Sequence, residues 1–300
     1  MTTIPAPGTD RAPLIWINGR PFDARTAGLS PLDRGFTLAD GLFETMRTYE
    51  GVVFRIGPPL ARLQSGARRL SLALPDDMER QLLAALQAAR DAGWRDASVR
   101  LSVSRGPGAT GVAPPRHPEP TVVIVIAPLP AFPPAMYTDG LTASIASGRR
   151  NERAMTTGLK TLAYTDNIAA LAEAHRVGAD DALFLDTEGH LCEATSSNIF
   201  LCASERLVTP GVSCGVLPGI TRAAVLELAR GMGIAAEERV VSTDELASAD
   251  EAFLTSSVRE IVPLVRVNGT PIGRGVPGPM VIRLRSAYAQ LVESERAANH

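Results

Sequence analysis

Apolar and polar positions along the 300-residue chain change period several times, and each change marks an element. Leu14 to Ile17, the pair Asn18-Gly19 and then Pro21-Phe22 read as an opening hairpin. Val52 to Arg55 reads as a short strand. From Leu60 the apolar residues Leu60, Leu63, Ala67, Leu70 and Leu74 keep helical spacing. A second helix follows, capped near Asp76 or Asp77 and stopped at Gly93. Val99, Leu101 and Val103 then alternate with Arg100, Ser102 and Ser104, which predicts a strand with one polar face. Thr121 to Ala127 is apolar almost throughout and predicts a buried strand. Pro128 to Gly140 holds four prolines and is the best domain boundary. Beyond it, strands are expected at about Leu141–Ala146, Ala182–Leu185, Asn198–Cys202, Ala252–Thr255 and Val262–Val267, with helices at about Thr165–Val177, Thr221–Met232 and Pro279–Glu295. Because this half opens on a strand and alternates irregularly, the fold class is α+β rather than a doubly wound sheet. The expected organisation is a loose N-terminal arm over 1–13, a small α/β domain over 14–130, a linker over 131–140 and a larger domain over 141–300.

Composition narrows the function. A hydrophobic fraction of 45% and a charged fraction of 21% are those of an ordinary globular enzyme. A net charge of −2 gives no reason to expect nucleic acid or an anionic membrane as partner. Val122 to Ala127, the longest apolar run, is far short of a membrane span. With no signal pattern at the N-terminus, a cytoplasmic location is expected. The three cysteines (Cys192, Cys202, Cys214) lack zinc-site spacing and read as reduced thiols. The four histidines are scattered, so no metal is expected.

Gly106-Pro107-Gly108-Ala109-Thr110-Gly111 fits the GxGxxG pattern directly after a strand. A dinucleotide site needs a helix next, and the prolines at 114, 115 and 118 prevent one. The segment reads as a rim or lid. The informative stretch runs from Gly158 to Phe200. Lys160 follows Gly158-Leu159 and precedes a helix, so its side chain can project from an element end. A lysine in a partly apolar pocket is held toward the neutral amine, which forms a Schiff base with an aldehyde. Glu193 opens a Ser/Thr-rich segment and supplies a carboxylate. Thr157-Gly158-Leu159-Lys160 resembles an SxxK motif, but its companion motifs are missing, and there is no GxSxG. Leu217-Pro218-Gly219-Ile220-Thr221-Arg222 opens a helix whose free N–H groups suit a phosphate, although a plain capped helix would look the same. Thr255-Ser256-Ser257 is a second candidate phosphate cradle, and it too can be an ordinary turn. A phosphate-bearing aldehyde, a Schiff-base lysine and a carboxylate for a ring nitrogen together describe pyridoxal phosphate.

At this point the chain resembles the class IV (fold type IV) pyridoxal-phosphate-dependent aminotransferases. That family includes branched-chain and D-amino acid aminotransferases and 4-amino-4-deoxychorismate lyases. Four blocks carry the resemblance in order: DRGFTLADGLFETMR from Asp33, LKTLAYTDNIAALAEA from Leu159, EATSSNIF from Glu193 with LPGITRAAVLELA from Leu217, and DEAFLTSSVREIVPL from Asp250. The resemblance implies a two-domain enzyme with a small N-terminal α/β domain and a larger C-terminal pseudo-barrel domain, assembled as a homodimer. It implies that Lys160 carries the cofactor and shuttles the α-proton, Glu193 meets the pyridine nitrogen and Tyr164 hydrogen-bonds the ring hydroxyl. It also implies that Leu217 packs on the ring and that Arg55 binds the phosphate with the N–H groups of Ile220 and Thr221 and with Ser256 and Ser257. Ser257 and Val258 would hold the substrate carboxylate, with Phe43, Arg47 and Arg100 in the substrate pocket. Pro58-Pro59 stand where the family often has a histidine. The loop from Gly106 to Pro115 lacks the arginine and histidine that D-amino acid enzymes use, which argues against D-specificity. Ser104–Gly108 and Ser257–Pro263 look instead like the lyase branch. The expected activity is amino transfer between a branched-chain-like amino acid and a 2-oxo acid. The alternatives are pyruvate elimination to 4-aminobenzoate by a lyase, and a non-catalytic pyridoxal-phosphate-binding protein.

Overall fold

Asn18 and Gly19 take positive φ, 47° and 75°, as a tight two-residue hairpin turn requires. In the computed structural model, which describes residues 11–298, they join β1 (Leu14–Ile17) to β2 (Arg20–Phe22). The chain groups into two compact units. Of the described residues, one holds 11–131, 160–163 and 295–298; the other holds 132–159 and 164–294. Positions 1–10 of the expected arm lie outside the described residues. Arg11 is tied down: its guanidinium donates to the carbonyls of Ala92 and Gly93 and lies 4.6 Å from the Trp94 ring centroid.

The first unit continues with α1 (Arg34–Leu38), β3 (Gly41–Tyr49), β4 (Val52–Val53), α2 (Gly57–Arg69), α3 (Met78–Asp91), β5 (Ala97–Ser104) and β6 (Thr121–Pro128). Its six strands form an antiparallel sheet in the order β2-β1-β6-β5-β3-β4. The alternation along β5 does what its period predicts. Val99, Leu101 and Val103 are fully buried opposite Ile126, Ile124 and Val122, and Leu60, Leu63 and Leu82 of α2 and α3 are buried with them. Phe43, Thr45 and Arg47 of β3 stand opposite Ser102, Arg100 and Ser98, so they share the other face. Two boundaries differ from expectation. Arg55 turns to φ 50°, which ends β4 at Val53, and α2 begins at Gly57 because Pro58-Pro59 fit its first turn, where no N–H is needed.

A polar knot fixes the glycine-rich loop. Asp33 caps α1 by accepting from Gly35 N at 2.7 Å. Asp40 lies between two guanidinium groups, 2.8 Å from Arg34 Nε and 2.8 Å from Arg105 Nε. Burial pushes its carboxyl up, and the bonds to Arg105 and Arg34 more than offset this, leaving its pKa below the ordinary value. Arg34 directs its other donors to the carbonyls of Gly111, Val112 and Ala113. The loop is thus hung on a buried arginine.

The second unit comprises α4 (Ala135–Thr138), β7 (Leu141–Arg150), α5 (Thr165–Arg176), β8 (Asp181–Asp186), β9 (Leu191–Ala194), β10 (Asn198–Ala203) and β11 (Arg206–Pro210). After a 3-10 turn at Val212–Cys214 come α6 (Ile220–Gly231), β12 (Ala236–Arg239), α7 (Thr243–Ser248), β13 (Glu251–Ser256), β14 (Glu260–Val267), β15 (Thr270–Pro271) and α8 (Pro279–Ala298). Nine strands form one mixed sheet in the order β12-β11-β10-β13-β14-β7-β8-β9, with β15 on β14. The sheet curls: β9 at its end is followed at once by β10 from its other half, with Ala194 N donating to Ser197 O at 2.8 Å. One face buries Leu183, Leu191, Ile199, Leu254 and Leu264 in a single cluster. This is the α+β, half-barrel architecture that the irregular alternation and the resemblance implied. β7 runs on to Arg150, past the expected end at Ala146, because an irregular register with β8 between Ile145 and Arg149 carries the polar Ser147-Gly148 without breaking the strand.

Candidate active site

Lys160 stands where the chain joins the open edge of β3. Phe43 N donates to Lys160 O at 2.9 Å, Leu42 and Thr161 form an isolated antiparallel bridge, and Leu162 N donates to Gly41 O at 3.0 Å. Glycine is needed at 41, since a Cβ there would lie 2.7 Å from Leu162 Cδ1 and 2.4 Å from Val103 O. The half-buried Lys160 places Nζ 4.6 Å from the Phe43 ring centroid, and the Arg100 guanidinium carbon lies 3.6 Å from the same centroid. Arg47 lies over Tyr49 at 4.5 Å. Of the sequence-predicted residues, Lys160, Phe43 and Arg100 are therefore brought together, with Arg47 further along the same strand face. Arg55 is elsewhere engaged: Glu295 accepts from its Nε at 2.9 and 3.1 Å and from its Nη2 at 2.5 Å. An Arg55 bound to phosphate would have to exchange that carboxylate for it.

The loop leading to Lys160 is braced by hydrogen bonds. Thr157 Oγ1 donates to Asn151 O at 2.8 Å, and Glu152 accepts from Thr187 N at 3.0 Å and Thr187 Oγ1 at 2.7 Å. The backbone and side-chain bonds from Thr187 hold the Glu152 pKa down at about 2, from an ordinary 4.5. A carboxyl depressed on folding contributes stability that is present above its unfolded pKa and lost as pH falls toward the folded one. Between pH 4.5 and 2 the parent protein should therefore lose melting temperature more steeply than Glu152→Gln, measured by thermal scans across that window. Parallel curves would remove Glu152 from the brace.

In the second unit Glu193, on β9, is the centre. Its Oε2 accepts from Leu217 N at 2.9 Å and from Asn198 Nδ2 at 3.4 Å, and Arg150 Nη2 lies 3.3 Å from Oε1. Arg150 itself lies 4.4 Å from the Phe184 ring centroid. Asn198 also donates to Leu217 O at 2.8 Å, so it fixes both the carboxylate and the segment before α6. Glu193 and Leu217 are thus brought together through Asn198, next to Gly219, Ile220 and Thr221. α6 begins at Gly219 without a side-chain cap. Thr255 stands opposite Asn198 across the β10–β13 ladder and so shares its face. Its buried hydroxyl has no hydrogen-bond partner among the described residues. Ser256 Oγ accepts from Arg259 N at 3.2 Å, and Ser257 and Val258 follow it, half-buried, in the turn between β13 and β14. Tyr164 is half-buried immediately before α5, where its carbonyl accepts from Ile168 N.

A Cβ on Gly219 would lie 2.1 Å from Asn198 Oδ1. Gly219→Ala should lower the unfolding free energy by about 1–3 kcal/mol, the usual cost of overpacking, as read from a denaturant melt. An unchanged midpoint would mean that Asn198 is free to move away.

Sequence reasoning left out Arg150 and Asn198. Asn198 lies within the EATSSNIF block, five residues after Glu193, and Arg150 was hidden by a polar strand end that resembles a loop. The three cysteines are free and buried. Cys192, next to Glu193, donates to Cys214 O at 2.8 Å, and burial raises its pKa.

A family model described as amino-transferase class IV matches residues 41–267. A protein of Methanocaldococcus jannaschii, provisionally named as a branched-chain-amino-acid aminotransferase, is 34% identical over 278 residues, covering 92% of this chain and 96% of its own. The crystal structure of 4-amino-4-deoxychorismate lyase from Pseudomonas aeruginosa is 34% identical, with a TM-score of 0.80 over 91% of this chain and 97% of that one. The crystal structure of the T.th. branched-chain amino acid aminotransferase with pyridoxamine 5'-phosphate is 28% identical, with a TM-score of 0.88 over 94% of each chain.

Proposed function

The chain belongs to the class IV aminotransferase family, and on that premise we propose that it transfers an amino group between a branched-chain-like amino acid and a 2-oxo acid with pyridoxal phosphate as cofactor. The observation that carries this reading is the carboxylate of Glu193, fixed by Leu217 N–H, Asn198 and Arg150. The uncapped start of α6 and the buried, unpartnered Thr255 hydroxyl fit a phosphorylated group. Pyridoxal phosphate, when bound, supplies an aldehyde carbon that condenses with amines and a ring that takes up the electron pair of a bond broken at the substrate α-carbon. Lys160 Nζ would be the amine that holds that aldehyde and the base for the substrate α-proton. Glu193 keeps the proton on the ring nitrogen, and its own bonds stop it from turning away. Tyr164 would hold the ring hydroxyl, and Leu217 would pack beside the ring. Ile220 and Thr221 N–H groups would bind the phosphate with Ser256 and Ser257, and Arg55 is assigned there by resemblance. Ser257 and Val258 bind the substrate carboxylate, while Phe43, Arg47 and Arg100 line the pocket for its side chain. A cytoplasmic homodimer completes the reading; light scattering that gives a single-chain mass would remove the dimer from it.

An identity of 34% to the lyase structure, against 28% to the aminotransferase structure named above, supports a second reading, in which the same residues serve the loss of pyruvate from 4-amino-4-deoxychorismate. Both activities use Lys160 and Glu193, and fold does not separate them. The deciding experiment adds L-glutamate, L-leucine, D-alanine or aminodeoxychorismate to the cofactor-loaded protein. An aminotransferase moves the cofactor absorbance to the pyridoxamine form with an amino acid alone. A lyase releases pyruvate with no acceptor present. A borohydride-trapped band that no donor shifts would leave a non-catalytic binding protein and end both readings.

A further inference from the structure

Buried Asp181 and half-buried Arg259 form an ion pair that none of the chemistry above uses. Asp181 is 1% exposed, and its Oδ2 accepts from Arg259 Nη2 at 2.9 Å. The pair grips one turn from both of its ends. Asp181 Oδ1 accepts from Thr195 Oγ1 at 2.6 Å and Thr195 N at 3.3 Å, while Arg259 Nη2 also donates to Ser197 Oγ at 2.8 Å and Ser196 Oγ at 3.1 Å. Thr195 to Ser197 are the three residues between Ala194 and Asn198, so this is the turn that separates Glu193 from its hydrogen-bond donor Asn198. Asn167 of α5 adds a buried bond to Thr195 O at 2.6 Å.

Arg259 belongs by its backbone to a different turn, the one that carries Ser256, Ser257 and Val258. Its N–H donates to Ser256 Oγ at 3.2 Å, and its carbonyl accepts from Tyr137 Oη at 3.3 Å. We propose that the Asp181–Arg259 pair is a positioning device that fastens the Thr195–Ser197 turn to the Ser256–Arg259 turn and thereby sets the cofactor affinity of the site. This rests on the function proposed above and concerns residues to which that function assigns no contact with cofactor or substrate.

The ladders do not need the pair. β10 and β13 are already registered from Asn198–Thr255 to Cys202–Glu251, and β13 and β14 pair as far as Ser256–Glu260. The ion pair lies beyond these ladder ends and holds the turns themselves. Replacing a buried pair by apolar side chains of similar volume is often neutral for stability, whereas removing one partner strands a charge. What the intact pair adds is therefore the spacing between the carboxylate that meets the ring and the hydroxyl and N–H groups that meet the phosphate and the substrate.

The test uses the full chain carrying both Asp181→Leu and Arg259→Met, with Arg259→Lys as a milder second variant. Circular dichroism and melting report folding, titration of the cofactor-free protein with pyridoxal phosphate gives Kd, and hydrogen exchange reads the two turns. The double variant should fold, bind pyridoxal phosphate about tenfold or more weakly, as is usual when an outer-shell support is lost, and exchange faster at both turns together. Arg259→Lys keeps the charge but loses the fork that serves aspartate and serines at once, so its Kd should fall between parent and double variant. Parent-like Kd and exchange in the double variant, or in Arg259→Lys should the double variant not fold, overturn the positioning role. A parent that binds no pyridoxal phosphate overturns the function with it. A parent that binds it while the variants match leaves the function standing and removes only the clamp.

Discussion

Replacing Lys160 by alanine should abolish turnover, with a loss of about 10⁴-fold or more, because the proposed function asks one side chain to act both as covalent amine and as proton carrier. At about 1.4 kcal/mol per decade this is more than about 5 kcal/mol of transition-state stabilisation. The fold should barely notice. Lys160 is held through its backbone, by the bond from Phe43 N to its carbonyl and by the neighbouring bonds of Thr161 and Leu162 to the edge of β3. The side chain adds its contact with the Phe43 ring, and such a cation–π contact is worth about 0.5–1 kcal/mol when partly exposed. Lys160→Ala should thus melt within about 1 kcal/mol of the parent and yet retain no cofactor after borohydride treatment and denaturation. Lys160→Arg sharpens the test, since it keeps a cation over Phe43 but has no amine that condenses with an aldehyde. It should be as inactive as alanine. Measurable activity in either variant near the parent level would take the covalent role away from this residue.

How much of this was legible in the sequence depended on whether the signal was local. The hairpin at Asn18-Gly19, the polar face of β5 and the helix beginning at Thr165 follow from residue period and turn chemistry and stand where the pattern put them, while the helix read from Leu60 to Leu74 is present over Gly57–Arg69. The short strands β9, β11, β12 and β15 escaped because two to five residues carry too little period to be seen, and their strand character comes from partners far along the chain. The site divides in the same way. Lys160 and Glu193 could be singled out because an amine after Gly158-Leu159 and a carboxylate ahead of a Ser/Thr-rich run are visible in the local sequence. The groups that aim Glu193 could not. Arg150 reaches it from β7, Leu217 offers a backbone N–H, and Asn198 looks like one more polar residue in a turn. Arg55 shows the opposite limit: its motif context nominated it for phosphate, while its carboxylate partner, Glu295, lies 240 residues away and leaves no trace in local sequence.

The second large effect is expected at Glu193, where the conservative Glu193→Gln separates charge from shape. Glutamine keeps the length of the side chain and one carbonyl oxygen that can accept from Leu217 N, so the segment before α6 should stay in place. What it loses is the negative charge, and that is the property a protonated ring nitrogen requires. The Arg150 guanidinium, 3.3 Å from the carboxylate, remains beside a neutral amide and repels any proton on the ring instead of balancing the carboxylate. Two unfavourable terms therefore act together, and kcat should fall by about 10²–10³-fold, the scale on which removal of one preorganised electrostatic partner is felt. Cofactor should still bind, more weakly, because the proposed phosphate groups, at Ile220, Thr221, Ser256 and Ser257, are left intact. Glu193→Ala should lose more affinity than Glu193→Gln, since it also frees Leu217 N–H and Asn198. If Arg150 contributes in the way its geometry indicates, combining Arg150→Met with Glu193→Gln should recover part of the lost rate relative to Glu193→Gln alone, by removing the uncompensated cation. A Glu193→Gln protein with the parent's kcat would mean that the ring nitrogen needs no carboxylate, and the assignment of this residue would then fail whatever the fold.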